Sequence, residues 1–257
     1  MSGTAAFDLG GRCAVVIGAS QGIGAAIGLA FAGVGAEVVF AARRREQLET
    51  VRDEAVARGG RAFAEPVDVS STESLATLAA RIDELGLQPA ILVNCAGEGG
   101  TRAAFDVTPA EWDALHGVHL RGAFFACQAF GRGMAARGYG KIVNMSSTWA
   151  ATVGANRSVY CAAKAGVGHM TAALAAEWAP LGIRVNALAP TATLTPTIER
   201  RLAQDPARAE YLRRGIPLGR LATTDDLVGS AIFLASAASD FVTGHTLFVD
   251  GGWQHAK

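Results

Sequence analysis

Tyr160 and Lys164 stand four residues apart in the run S-V-Y-C-A-A-K, at the head of a stretch made almost wholly of alanine and glycine. On a helix this spacing puts both side chains on one face, one turn apart. An ammonium beside a phenol favours the phenolate and pulls its pKa down from about 10. The same pair also occurs on helix surfaces with no chemistry at all, the ring lying over the lysine stem. The pair alone leaves both readings open, and the elements that position it must decide.

Those elements alternate. Strand-like apolar runs occur at Cys13–Ile17, Glu37–Ala42, Arg61–Val67, Ala90–Asn94, Lys141–Met145, Arg184–Leu188 and Thr246–Val249, with helical stretches between them. Two helix starts are signalled by capping boxes, Ser70 with Glu73 and Thr108 with Glu111, the second with Pro109 at the first helical position. Strands that are apolar on both faces and separated by helices predict a parallel sheet covered on both sides. The expectation is a single α/β domain spanning residues 1–257, a doubly wound Rossmann-type sheet of about seven strands. The stretch from Gly24 to Ala42 carries a single charge, yet its G-V-G would break a membrane helix, so it reads as helix, turn and strand.

Composition narrows the function. Hydrophobic residues make up 50% of the 257, enough for a large core, and 23 basic residues balance 23 acidic ones. That balance gives no long-range pull on nucleic acid or an anionic membrane, and neither partner is expected. Four scattered cysteines with no C-x-x-C pair signal neither a disulfide framework nor a metal site. The opening M-S-G-T-A-A-F-D has no basic stretch followed by an apolar run, so a cytoplasmic location is expected.

In such sheets ligands bind at the carboxyl ends of the strands. After the first strand comes G-A-S-Q-G-I-G, with Gly18, Gly22 and Gly24, between a strand and a helix. Glycines there let the backbone approach a pyrophosphate, and the helix start favours negative charge. The second strand ends A-A-R-R-R, where enzymes that bind NAD usually place an acid. Arginines at a helix start are poorly placed against its dipole, which makes a 2′-phosphate partner for Arg43 attractive. NADP is therefore expected over NAD. Asp68 and Val69 after the third strand suit an adenine, although Asp68 suits a turn equally well. N-C-A-G ends the fourth strand, and Ser146 and Ser147 end the fifth.

Taken in order, G-A-S-Q-G-I-G, D-V, N-C-A-G, Ser147 with Tyr160 and Lys164, and the closing V-D-G-G resemble the short-chain dehydrogenase/reductase family over nearly the whole chain. The resemblance implies an NADP-dependent oxidoreductase, a carbonyl reductase or alcohol dehydrogenase. In it Tyr160 is the general acid and base, and Lys164 lowers the Tyr160 pKa and holds the nicotinamide ribose. Ser147 binds the substrate oxygen, and His119 stands where the family has a fourth catalytic residue, an asparagine. Cofactor contacts are implied for Gly18, Ser20, Gln21, Gly22, Ile23, Gly24, Arg43, Arg44, Asp68, Val69, Asn94, Ala96, Gly97, Tyr160, Lys164, Pro190, Thr193 and Thr195. A homotetramer is implied too.

Three positions depart from the family pattern. N-C-A-G replaces N-N-A-G, Thr191 replaces a glycine after Pro190, and His119 replaces the asparagine. The last motivates a competing reading, a cofactor-binding sensor or scaffold without catalysis, against which the intact Ser147, Tyr160 and Lys164 argue. Substrate choice is expected in residues 191–217, where Arg200, Arg201, Arg208, Arg213 and Arg214 outnumber Glu199, Asp205 and Glu210. That excess suits an acidic substrate or simply an amphipathic surface helix. The tail resembles gluconate 5-dehydrogenases and 3-oxoacyl-carrier-protein reductases, which leaves a sugar acid and a 3-oxoacyl group both open.

Overall fold

The computed structural model describes residues 5–256. In chain order these form β1 (Cys13–Ile17), α1 (Gly22–Gly33), β2 (Glu37–Ala42), α2 (Arg45–Ala57), β3 (Ala62–Pro66), α3 (Thr72–Glu84) and β4 (Pro89–Asn94). There follow α4 (Pro109–His116), α5 (Gly122–Arg137), β5 (Gly140–Met145), α6 (Ser158–Trp178), β6 (Ile183–Pro190), α7 (Pro196–Gln204), α8 (Pro206–Gly215), α9 (Asp225–Ala235) and β7 (Thr246–Val249). The strands make one sheet in the order β3-β2-β1-β4-β5-β6-β7. Every pairing between neighbours is parallel.

Side-chain alternation explains why both faces are covered. Ala14 and Val16 of β1 join one core with Phe31 of α1, Leu48 of α2 and Leu227 of α9. Cys13, Val15 and Ile17 point the other way, onto Leu75 and Ile82 of α3, Phe130 of α5 and Leu174 of α6. A strand buried on both faces must be apolar at every position, and β1 is buried throughout. A third, smaller cluster of Leu212, Ile216 and Trp253 lies beneath α8, with Trp149 packed against it. The four cysteines are unbridged.

Strand order reverses between β1 and β4, and a crevice opens where the loops after these strands diverge. Two helix starts flank it. Thr108 and Glu111 form the expected capping box, with Pro109 at the first helical position. The other box is displaced by one residue: Ser71 caps α3, its hydroxyl accepting from the Ser74 amide at 3.1 Å. Ser70 turns back instead, its amide and hydroxyl donating to Asp68 Oδ1 at 3.0 and 2.7 Å. The nearer acceptor wins. Among the described residues no helix is long and apolar enough to cross a membrane, and Gly24 to Ala42 is helix, turn and strand.

Candidate active site

A cleft of about 1010 Å³ runs along the carboxyl ends of the strands. The glycine-rich turn after β1 forms its floor because its Cβ positions are already filled. Gly18 has φ +87°, and a Cβ there would lie 2.5 Å from the Ala96 amide nitrogen. The loops after β1 and β4 can touch only through a glycine. A Cβ on Gly24 would strike the Gly18 carbonyl, so the third glycine seats α1 on the turn. From above, the start of α7 closes on the same turn. Gln21 Nε2 donates to Thr197 Oγ1 at 3.2 Å, and Thr195, whose hydroxyl caps α7, leaves 3.1 Å for a Cβ on Gly22.

The far end of the cleft is basic. Arg43 lies on its rim, without an ion pair among the described residues, and close enough to Asp68 to help hold that carboxyl down. The larger cause of the low Asp68 pKa is the pair of hydrogen bonds from Ser70. Asp68 is thus a turn residue that also lines the cleft. Arg44 donates to Ser20 Oγ at 3.2 Å and ties the end of β2 to the glycine-rich turn.

At the other end the catalytic candidates converge. Ser147 Oγ accepts from the Trp149 amide at 3.2 Å, which leaves its own hydrogen to point towards the Tyr160 phenol. Tyr160 is half-buried one turn before Lys164, as the spacing requires. Lys164 is only 4% exposed; its ammonium donates to the Met145 carbonyl at 2.7 Å and lies 5.7 Å from the Tyr160 ring centroid. Burial lowers the Lys164 pKa to about 8. Burial pushes the phenol up, and the groups that pull it down are Ser147 and the Arg157 charge.

His119 sits in a π-helical turn, Gly117–Arg121, that joins α4 to α5. The wider turn swings the ring inward until it is 5% exposed and edge-on to Tyr160, with centroids 5.4 Å apart. Nε2 is 3.0 Å from the Glu98 carbonyl oxygen, which only accepts, so Nε2 carries the hydrogen and Nδ1 is a bare acceptor. Nδ1 is buried and meets no partner among the described residues. Burial first, and Lys164 second, lower the His119 pKa to about 3. Burial and the neighbouring lysine thus both favour the neutral ring. Gly97, at φ +132°, makes room for it, since a Cβ there would enter the imidazole.

Every expected cofactor residue lines this cleft except Asn94. Its amide turns into the core, donating to Asn144 Oδ1 at 2.9 Å, and a second donation from Asn144 reaches Thr171 Oγ1 at 3.0 Å. Asn94 ties β4 to β5 and α6 and carries the loop beyond it. Thr191 lies outside the left-handed region, as does every non-glycine described except Asn156, so the missing glycine after Pro190 leaves no strain. Thr193 is buried beside it, donating to the Thr191 carbonyl at 3.0 Å.

Comparison with known proteins decides the family. A family model described as enoyl-(acyl carrier protein) reductase matches residues 18–254. The 2-dehydro-3-deoxy-D-gluconate 5-dehydrogenase of Bacillus subtilis is 39% identical over 249 residues, 96% of each chain. The chain belongs to the short-chain dehydrogenase/reductase family. It is similar as well to the D-threitol dehydrogenase of Mycolicibacterium smegmatis, 39% identical over 255 residues, covering 96% of this chain and 94% of that one. Among solved structures, a gluconate 5-dehydrogenase from Burkholderia cenocepacia in complex with NADP and tartrate superimposes with a TM-score of 0.94 at 36% identity, over 98% of this chain and 99% of that one. These relatives are oxidoreductases, and they include both an acid and a neutral polyol among their named substrates.

The sequence reading passed over Arg157, Trp149 and Glu98, all of which line the short-chain dehydrogenase/reductase cleft. Arg157 offered a signal. It is a cation at the N-terminal cap of α6, where the helix dipole opposes it.

Proposed function

We propose that this protein interconverts a ketone and a secondary alcohol with NADP(H), Tyr160 delivering and removing the proton. The observation that carries this reading is the convergence of Ser147, Tyr160 and Lys164 at one end of a cleft whose other end is a glycine-rich turn. The Ser147 hydroxyl, one of its lone pairs taken by the Trp149 amide, donates to the substrate oxygen and stabilises charge developing there. Tyr160 gives that oxygen its proton. Lys164, pinned by the Met145 carbonyl, keeps a positive charge beneath the tyrosine and has donors left for ribose hydroxyls. His119 offers its bare Nδ1 to a water that links this pair to solvent. Bound in the cleft, the nicotinamide supplies or accepts the hydride.

The residues fit such a cofactor. Gly18 and Gly22, both at positive φ, shape the tight turn against which a pyrophosphate would lie, and Ser20, Gln21, Ile23, Asp68, Val69, Ala96, Pro190, Thr193 and Thr195 complete the walls. Arg43, unpaired at the end of β2, suits a 2′-phosphate, with Arg44 beside it; NAD would leave both without an anion. This favours NADP. An inactive sensor would not need a serine hydroxyl, a phenol and a buried ammonium brought together. The test is NADPH oxidation with a panel of ketones and keto acids. Tyr160→Phe should lower turnover by at least ~10²–10⁴-fold while cofactor still binds. A variant that keeps more than about a tenth of the wild-type rate sinks the role given to Tyr160. We place the protein in the cytoplasm as a homotetramer, the half-exposed Trp112 and Phe124 of α4 and α5 suiting subunit contact.

A further inference from the structure

Beyond Ser147 and Tyr160, the cleft carries guanidinium groups for which proton and hydride transfer have no use. Arg157, Arg201 and Arg208 all line it. Arg201 is neutralised, its Nη2 lying 3.1 Å from Glu98 Oε2. The other two face no carboxylate among the described residues. Arg157 donates to the Gly100 carbonyl at 2.8 Å with its guanidinium 5.6 Å from the Trp149 ring centroid. Arg208 is held 5.1 Å from the Tyr211 ring centroid.

This arrangement is costly as it stands. Arg157 is half-buried, its pKa is lowered by that burial and by the charges of Arg208 and Arg201, and it caps a helix whose dipole opposes a cation. Elsewhere on the same segment Arg213 and Arg214 both reach Glu210, and the exposed Arg200 reaches Thr197 Oγ1. Two half-buried, mutually repelling, unpaired guanidinia at one end of a reaction cleft are accounted for by an anion between them. Planar forks of donors match a carboxylate, and aromatic rings behind both hold their planes. Arg157 stands three residues before Tyr160, and its charge reaches the phenol. The anion and the reacting carbonyl therefore fit within one small molecule.

We propose that Arg157 and Arg208 form a carboxylate-binding subsite, so that the substrate is a short hydroxy or keto acid and not a neutral polyol or an acyl thioester. This rests on the oxidoreductase reading above and adds the charge of its substrate.

The test compares 5-keto-D-gluconate with the neutral ketose L-sorbose, using NADPH, in the wild type and in Arg157→Gln and Arg208→Gln. The wild type should prefer the acid. The ratio of kcat/KM for acid over ketose should fall about ten- to a hundredfold in each variant, as loss of a charge-assisted contact implies. If Arg157→Gln fails to fold, Arg208→Gln, on a separate helix, gives the same reading. A wild type that prefers L-sorbose, or ratios unchanged in the folded variants, overturns the subsite. If neither compound is reduced, calorimetric titration with tartrate, with NADP⁺ and without it, separates the two ideas. Binding weakened tenfold or more by Arg208→Gln keeps the subsite and removes the reductase reading. Equal binding, or none, removes the subsite.

Discussion

Replacing His119 by asparagine should alter how the stability of the fold depends on pH, by an amount fixed by the ring's surroundings. The folded imidazole has its pKa lowered to about 3 from an ordinary 6.5, by burial first and by Lys164 second, with a smaller push from His116. Unfolding returns it to water, where it takes a proton at its ordinary value. Between about pH 6.5 and pH 3 the unfolded chain thus holds more protons than the folded one, and stability falls as the pH falls. The slope from this one group is about 1.4 kcal/mol per pH unit, so acidification from pH 7 to pH 5 costs roughly 2 kcal/mol. Asparagine carries no such proton. Other groups act in both proteins alike. Asp68 and Glu111, held low by hydrogen bonds from Ser70 and Thr108, also favour the fold at higher pH, chiefly below the range compared. Tyr160 and Lys164, facing the ring from α6, keep their protons from pH 5 to 7.

Urea unfolding at pH 7, 6 and 5 measures this directly, provided the m-values of the two proteins agree. The offset at pH 7 reports packing and is not the quantity of interest. Wild type should lose roughly 2 kcal/mol more than His119→Asn across the interval. Parallel stability curves would show that the folded imidazole takes up its proton as readily as the unfolded one. In that case the bare Nδ1 and its place in a proton path would have no basis.

The catalytic side of the same residue is separable: His119→Asn should keep substantial NADPH-dependent activity, whereas His119→Leu, which can hold no water, should lower turnover about tenfold. A fully active leucine variant would make the ring structural. Arg43→Ala should weaken NADPH by about ten- to a hundredfold while leaving NADH nearly unchanged. Equal losses, or a wild type that prefers NADH, would refute the 2′-phosphate contact. Sedimentation equilibrium should give four times the 26.5 kDa chain mass, and a monomer would remove the proposed assembly.

The sheet was legible because burial on both faces leaves little choice of residue: β1, β2 and β7 reproduce their expected limits, and the other four runs shift by one or two residues at their ends. The glycine-rich turn was legible for a similar reason, since each glycine answers to a contact that no side chain can make. What the sequence concealed depends on long-range direction. Asn94 ends the expected strand, but only the pairing of β4 with β5 shows its amide committed to Asn144. The spacing of Tyr160 and Lys164 is as expected, yet whether the ammonium meets the phenol or the Met145 carbonyl depends on how α6 lies against β5. Ser70 and Ser71 offer the same hydroxyl one residue apart, and the choice between them falls to Asp68, a neighbour outside the capping pattern.

Arginines told more than their number suggested. The excess in residues 191–217 read equally well as a surface helix or as a greeting for an acid, and a count could not separate the two. Position separates them. Arg213 and Arg214 are spent on Glu210, and Arg201 on Glu98, whereas Arg208 meets Arg157 from another part of the chain. Glu98 does two things at once: its carboxylate holds Arg201 on α7, and its carbonyl fixes the tautomer of His119. The α7 helix also grips the glycine-rich turn through Gln21 and Thr197. Through these few contacts, α7, His119 beside Tyr160 and the glycine-rich turn are all tied to the loop after β4. Of the arginines that line the cleft beside this linkage, Arg157 and Arg208 meet no carboxylate among the described residues.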